Sequence, residues 1–126
     1  MTQSIFSHRR LPRQNQSELL RSLVEKSHFR PGEPAPVIVF DLDGTLLDNR
    51  PRVAKIFREL AEHWQATNPA EAASLATAAA EDIVYGVEEN LDRFNVKDAA
   101  LRTFAAGFWK DRFFVDSYMQ YDRPTP

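Results

Sequence analysis

The chain has 126 residues, enough for one domain and too few for two of comfortable size. Its formal net charge of −2 gives no electrostatic case for binding nucleic acid or an anionic membrane. It has no apolar run near the roughly 18 residues that a membrane helix needs. Because it contains no cysteine, it can form neither a disulfide nor a thiolate nucleophile, which fits a cytoplasmic location.

The N-terminal segment is basic and has no acidic residue before Glu18. It lacks the apolar core of a secretory signal. We therefore expect residues 1–14 to form a flexible basic tail, with an organelle-targeting segment as the alternative.

A helix is predicted next, with Asn15 as its N-cap and Glu18 completing a capping box. The helix should end before the Pro-rich stretch that begins at Pro31, because proline cannot continue a helix. Its apolar side chains recur at helical spacing and form a stripe of Leu19, Leu20, Leu23 and Val24.

Residues 37–40 (VIVF) are predicted to form a strand covered on both faces, because the run is apolar and does not alternate. Asp41 and Asp43 follow, and then Gly44 and Thr45. In an extended segment, residues two apart point the same way, so both carboxylates can face one pocket at the edge of a sheet. Such hard oxygen ligands suit magnesium. The alternative is a polar turn that closes the strand.

The rest of the chain is predicted to be mostly helical, broken near Asn68 and Gly86. The last helix carries an aromatic face, which favours a packed core over a pocket wall. Arg50 and Arg52 could meet a substrate phosphate, but a solvated helix start explains them equally well. The three main helices are expected to begin behind Asn49, Asn68 and Asn95, and the last two to end near Tyr85 and Phe114.

Other motifs fail on spacing. A calcium loop that began at Asp41 would need its glycine at the sixth position and a glutamate at the twelfth, but glycine is fourth and the twelfth residue is Arg52. The chain has no Gly-rich loop ending in Lys-Ser/Thr for nucleoside triphosphates and no Gly-x-Ser-x-Gly elbow for acyl transfer.

The apolar strand followed by DLDGTLLD, residues 41–48, resembles the first motif of the haloacid dehalogenase-like (HAD) hydrolase superfamily, most of whose members are magnesium-dependent phosphatases. The resemblance implies that Asp41 is the nucleophile that forms an aspartyl-phosphate and that Asp43 is the general acid and base. It also implies that Mg²⁺ is held by the Asp41 carboxylate and the Asp43 backbone carbonyl. Gly44 and Thr45 would support the motif, and the substrate would be a small phosphorylated molecule.

The fold that this resemblance implies is α/β, with a HAD-like Rossmannoid core that is incomplete here. Residues 15–50 would start the core, residues 51–115 would form a mostly helical C1-type cap, and residues 116–126 would return toward the core. The family's later Ser/Thr, Lys and further acids find no match. We therefore expect an N-terminal portion of such a hydrolase, poorly active by itself. The alternative is a non-catalytic remnant or helical interaction module that retains the motif. No pattern identifies the substrate or the oligomeric state.

Overall fold

The computed structural model describes residues 13–125. The chain divides into two units, one ending at Val39 and the other beginning at Phe40. None of the helices in the described range is long and apolar enough to cross a membrane. In chain order, the elements are α1 (Arg13–Lys26), β1 (Leu47–Asp48), α2 (Arg50–Trp64), α3 (Pro69–Ala76), a 3₁₀ helix (Ala80–Asp82), α4 (Val87–Arg93), α5 (Ala99–Phe113), α6 (Asp116–Met119) and β2 (Arg123–Pro124).

The first unit contains α1 and the Pro-rich segment after it. The helix begins at Arg13, so Asn15 lies inside it and not at the predicted N-cap. It ends at Lys26, before the prolines, as predicted. The predicted basic tail lies outside the described residues except for its last two positions, which are helical. The apolar stripe is 48–62% exposed, and its members are Leu19, Leu20, Leu23 and Val24.

The prediction of a strand over residues 37–40 is wrong. The four side chains are 57–86% exposed, whereas the prediction had them covered on both faces. A strand needs a neighbouring backbone with which to exchange hydrogen bonds. In the part of the chain that the structure describes, the two strands pair only with each other, so residues 37–40 have no ladder to join.

The second unit contains this small sheet and the remaining helices. The two strands are antiparallel, with Leu47 opposite Pro124 and Asp48 opposite Arg123. The sheet therefore joins the residues directly after the Asp41–Asp43 pair to the C-terminal end of the described chain. A mostly helical structure with one short sheet is compatible with the α/β class.

The predicted helical content of residues 51–115 is confirmed by α2 to α5. The apolar residues of α2 recur every three or four positions and face the other helices, which accounts for their burial. Phe57 of α2 meets Phe94 edge to face, with ring centroids 5.8 Å apart. The most deeply buried apolar side chains of this core are Ile56, Phe57, Leu60, Leu75, Leu91, Val96 and Ala105.

Two helix boundaries differ from their predictions because polar side chains bind the backbone there. The helix after Asn68 stops at Ala76 instead of Tyr85. At this end the Thr77 hydroxyl donates to the Ser74 carbonyl at 2.8 Å. Farther along, the side chain of Asn90 donates to the carbonyl of Val84 and accepts from its N–H, both at 2.8 Å, which gives Val84 partners outside a helix. The last helix starts at Ala99 because the Asp98 side chain caps it.

Candidate functional site

The residues after Asp43 fold back at once into a tight loop. The carbonyl of Leu42 accepts hydrogen bonds from the N–H groups of Leu46 and Leu47, at 3.0 and 2.9 Å. Gly44 has φ +76°, a left-handed conformation that costs a glycine little, and its N–H donates to the Leu47 carbonyl at 2.8 Å. The loop therefore presents the two aspartates just before the chain enters β1.

The C-terminal end of the described chain braces this loop. The N–H of Thr125 donates to the Leu46 carbonyl at 3.0 Å, and its hydroxyl donates to the Thr45 carbonyl at 2.7 Å. Together with the β1–β2 pairing, these bonds hold the loop against residues about 80 positions away in sequence. The geometry of the site thus depends on both ends of the second unit.

Asp41 is exposed, and one of its oxygens is held by the motif itself. The hydroxyl of Thr45 donates to Oδ2 of Asp41 at 3.0 Å. The supporting role of Thr45 in the motif stays a prediction. Within the described range, Oδ1 of Asp41 accepts no hydrogen bond, so this oxygen is free to meet a ligand.

Asp43 is held by a residue of another element, α2. Nη2 of Arg52 donates to Oδ1 of Asp43 at 3.0 Å, and the Asp43 side chain keeps 39% of its surface exposed. Both predicted site residues therefore have one oxygen fixed by a neighbour and a surface that solvent reaches.

Arg52 is the residue whose position sequence reasoning missed. A solvated helix start was one of two interpretations, but the side chain is 1% exposed. Its guanidinium donates to Asp122 through Nε (2.8 Å) and Nη2, and to the Phe113 carbonyl through Nη1 (2.8 Å). The signal for burial was present: Arg52 precedes Ile56 by four positions, on the face of the helix that packs inward.

Hydrogen bonds from Arg52 to two aspartates stabilise its positive charge in the interior. The hydrogen bonds to Asp122, with a smaller contribution from Asp43, raise the pKa of Arg52 above its ordinary value although burial acts against this. The Asp122 side chain is only 3% exposed. Its role had no sequence signal, because it lies 70 residues from Arg52 along the chain.

A second ion pair closes the other side of the loop. Arg50 donates to Asp48 through Nε and Nη2, at 2.8 and 2.9 Å, and Arg123 adds a bond of 3.1 Å. The hydrogen bonds from Arg50, supported by Arg123, lower the pKa of Asp48 to about 2. Asp48 is therefore a charged anchor that orients Arg50.

Asp41 and Asp43 line one cavity of about 640 Å³, although they reach it from a turn and not from the extended strand end that the sequence predicted. Gly44 and the Asp48–Arg50 pair lie beside them in the lining. The rest of the lining comes mostly from α2, α5 and the segment before α4, and it is largely apolar: Val53, Ile83, Val84, Tyr85, Val87, Trp109, Phe113 and Phe114. Part of the aromatic face that the sequence favoured as packed core thus also lines this cavity.

The donor atoms at the aspartates have the chemistry that magnesium prefers. The backbone carbonyl of Asp43, like Oδ1 of Asp41, accepts no hydrogen bond from the described residues, so both oxygens are available. Magnesium is commonly bound by one or two carboxylates, with water and substrate phosphate completing its shell. A group of three His, Cys, Asp or Glu side chains that could hold a metal is not found in residues 13–125. The described residues would therefore supply few of the ligands of such a magnesium ion.

The family model of the haloacid dehalogenase-like hydrolases matches residues 35–123, which include the aspartates, Asp122 and the cavity lining apart from Thr125. The chain belongs to this family of hydrolases, as its motif predicted. No curated protein and no solved structure matches the chain significantly.

Proposed function

We propose that the chain provides the site of a magnesium-dependent phosphatase that works through an aspartyl-phosphate. The observation that carries the proposal is that Asp41 and Asp43, within the stretch matched by the family, line the same cavity with different partners. Two carboxyl groups in different surroundings can take the separate roles of nucleophile and acid.

In the proposed first step, an oxygen of the Asp41 carboxylate attacks the phosphorus of a phosphate monoester. The bond from phosphorus to the ester oxygen breaks, and that oxygen takes a proton from Asp43 and leaves as an alcohol. In the second step, water attacks the acyl-phosphate and gives a proton to Asp43. Inorganic phosphate is released, and the Asp41 carboxylate is restored.

The negative charge of the phosphate needs positive partners. Arg50 supports this role because it lines the cavity, and Asp48 engages its Nε and Nη2, which leaves Nη1 available. Magnesium bound to Oδ1 of Asp41 and the carbonyl of Asp43 would neutralise further charge on the phosphoryl oxygens. The described lining contains no lysine, so we expect slow turnover from residues 1–126.

We also propose the division of the chain predicted from the family. Residues 15–50 would belong to the core, residues 51–115 would form the cap, and residues 116–126 would return toward the core. The cavity supports this assignment because its lining draws on the loop at Asp41 and on the helical segment. A cytoplasmic location is likewise proposed, from the lack of cysteine.

The test measures turnover and capture of a phosphoryl analogue. With magnesium and a generic aryl phosphate, Asp41→Asn should lower turnover by several orders of magnitude, because an amide is not a competent nucleophile. Asp43→Asn should lower it by about 10²–10⁴-fold. Asp116→Asn, on the exposed surface of α6, is the matched control and should change nothing.

Beryllium fluoride gives a readout that does not require turnover, because it binds a carboxylate oxygen as an acyl-phosphate mimic. We expect a protein-bound ¹⁹F NMR signal that needs magnesium and disappears in Asp41→Asn. Turnover retained by Asp41→Asn would show that the chemistry lies elsewhere. Absence of both turnover and the fluorine signal would favour a non-catalytic module that retains the motif.

A further inference from the structure

The cavity at the two aspartates has an aromatic side that the proposed chemistry does not use. Trp109 and Phe113 stack with ring centroids 4.5 Å apart, and Phe114 meets Phe113 edge to face at 4.9 Å. Phe114 is 66% exposed and Tyr85 is fully exposed, although both rings line the cavity. Exposed rings beside an ordered aromatic stack offer flat apolar surface to a ligand.

Most polar side chains of the same lining already have partners within the protein. The Asn90 amide donates to the carbonyls of Val84 and Gly86 and accepts from the N–H of Val84, so its capacity is nearly filled. The hydroxyl of Thr125 donates to the Thr45 carbonyl. Apart from the aspartates and Arg50, the described lining therefore has few polar groups left for a ligand. They are chiefly those of Asn49 and Tyr85 and the indole N–H of Trp109, which is buried and has no hydrogen-bond partner among the described residues.

We propose that the substrate of this site is a phosphate monoester whose alcohol is aromatic or similarly apolar, and not a polyhydroxylated sugar. The inference rests on the proposed function for the position of the phosphate, which Asp41, Asp43 and Arg50 would receive. The organic part would then lie against Val84, Trp109 and Phe114.

The discrimination follows from the unequal costs of burial. An aromatic group that enters the cavity loses only unfavourable contact with water and gains contact with the rings. A sugar would bring several hydroxyls to a wall with few free partners, and each hydroxyl left without a hydrogen bond disfavours binding. The aromatic side of the cavity therefore disfavours a sugar phosphate and also favours a phosphate ester with an aromatic group.

A binding series tests this without requiring catalysis. Dissociation constants of methylphosphonate, 1-naphthylmethylphosphonate and glucose 6-phosphate are measured by calorimetry on the full chain with magnesium. We expect the naphthyl compound to bind at least about 10-fold more tightly than methylphosphonate, and glucose 6-phosphate to bind no more tightly than methylphosphonate. Chemical shifts of the backbone amides show whether the ligand occupies this cavity.

Two variants test whether tighter binding of the naphthyl compound depends on the aromatic side of the cavity. Phe114→Ala should reduce the naphthyl advantage by about 3- to 10-fold and leave methylphosphonate binding unchanged. Since Phe114 is largely exposed, the variant should fold. Phe104→Ala is the matched control: it removes a partly exposed phenylalanine of α5 that does not line the cavity, and it should preserve the advantage.

Two failures can be told apart. If the magnesium-dependent fluorine signal at Asp41 is present but glucose 6-phosphate binds as well as the naphthyl compound, the substrate class is wrong and the phosphatase proposal stands. If the naphthyl advantage depends on Phe114 but Asp41→Asn changes neither turnover nor the fluorine signal, the proposed chemistry is wrong. Absence of measurable naphthyl binding, or binding outside the cavity, overturns the inference.

Discussion

Replacing Arg52 by methionine should destabilise the second unit far more than an ordinary loss of a surface charge. The side chain is 1% exposed and donates to Asp122, Asp43 and the Phe113 carbonyl. It also lies over the Phe113 ring, with its central carbon 4.3 Å from the ring centroid. Methionine has similar length and fills part of the space, so the main loss is the positive charge and its hydrogen bonds.

The magnitude follows from what the substitution leaves behind. Asp122 is 3% exposed and would keep a buried carboxylate without its cation. Removing one partner of a buried ion pair typically costs about 3–5 kcal/mol. Asp43 contributes less, because it is 39% exposed and water can replace the lost bond. We therefore expect a loss of about 3–5 kcal/mol, a large part of the roughly 5–15 kcal/mol by which domains are stable.

Urea denaturation followed by circular dichroism measures this loss. Arg50→Met is the matched control, because Arg50 is half exposed and Asp48 would keep its pair with Arg123, so this loss should cost less than that of the buried Arg52. The double variant Arg52→Met/Asp122→Leu should recover much of the stability, since it removes the unpaired charge. A cost for Arg52→Met no larger than that for Arg50→Met would refute the reasoning, as would a double variant less stable than the single one.

Two further changes test the loop around the aspartates. Because the pKa of Asp48 falls from 3.8 to about 2 on folding, its stabilising effect is fully present above pH 3.8 and is lost as the pH falls toward 2. Urea midpoints should therefore fall less steeply between pH 5 and pH 2.5 in Asp48→Asn than in the parent chain, and equal slopes would contradict this. Gly44→Ala should cost about 1 kcal/mol, because alanine is strained at φ +76° even though space is open there. The same change at Gly107, inside α5, should instead stabilise by up to about 1 kcal/mol, and similar effects at both glycines would argue against a conformational cause.

The sequence predicted the parts of the site that depend on neighbouring residues. The pattern from Asp41 to Thr45 indicated that two carboxylates could face one pocket and that a glycine turns the chain there, and the structure has both features. The bond from the Thr45 hydroxyl to Asp41 was not predicted, although the two residues are only four positions apart. All of these contacts lie within a few positions along the chain. Their geometry therefore follows from local spacing and from the conformational freedom of glycine.

The sequence could not predict the parts that depend on distant residues. Arg52 and Asp122 are 70 positions apart in the sequence, and neither residue belongs to a motif from which its partner could be predicted. The strand over residues 37–40 was predicted from its apolar run, but a strand also requires a partner backbone, which the described residues do not provide. Local pattern could indicate only that the segment is apolar and β-branched.

These contacts together explain how the exposed Asp41 and the partly exposed Asp43 can be held although the described residues form only one two-stranded sheet. Thr45 fixes one oxygen of Asp41, and Arg52 fixes one oxygen of Asp43, so the two carboxylates are oriented by different elements, the loop itself and α2. Arg52 is in turn held by Asp122, immediately before β2, which pairs with the end of the same loop. A change at Asp122 therefore reaches Asp43 through one buried guanidinium. Asp41 is connected to the C-terminal end by another route, because Thr125 binds the carbonyl of Thr45 and the Thr45 hydroxyl binds Asp41. A change at Asp122 should therefore disturb the proposed acid before it disturbs the proposed nucleophile.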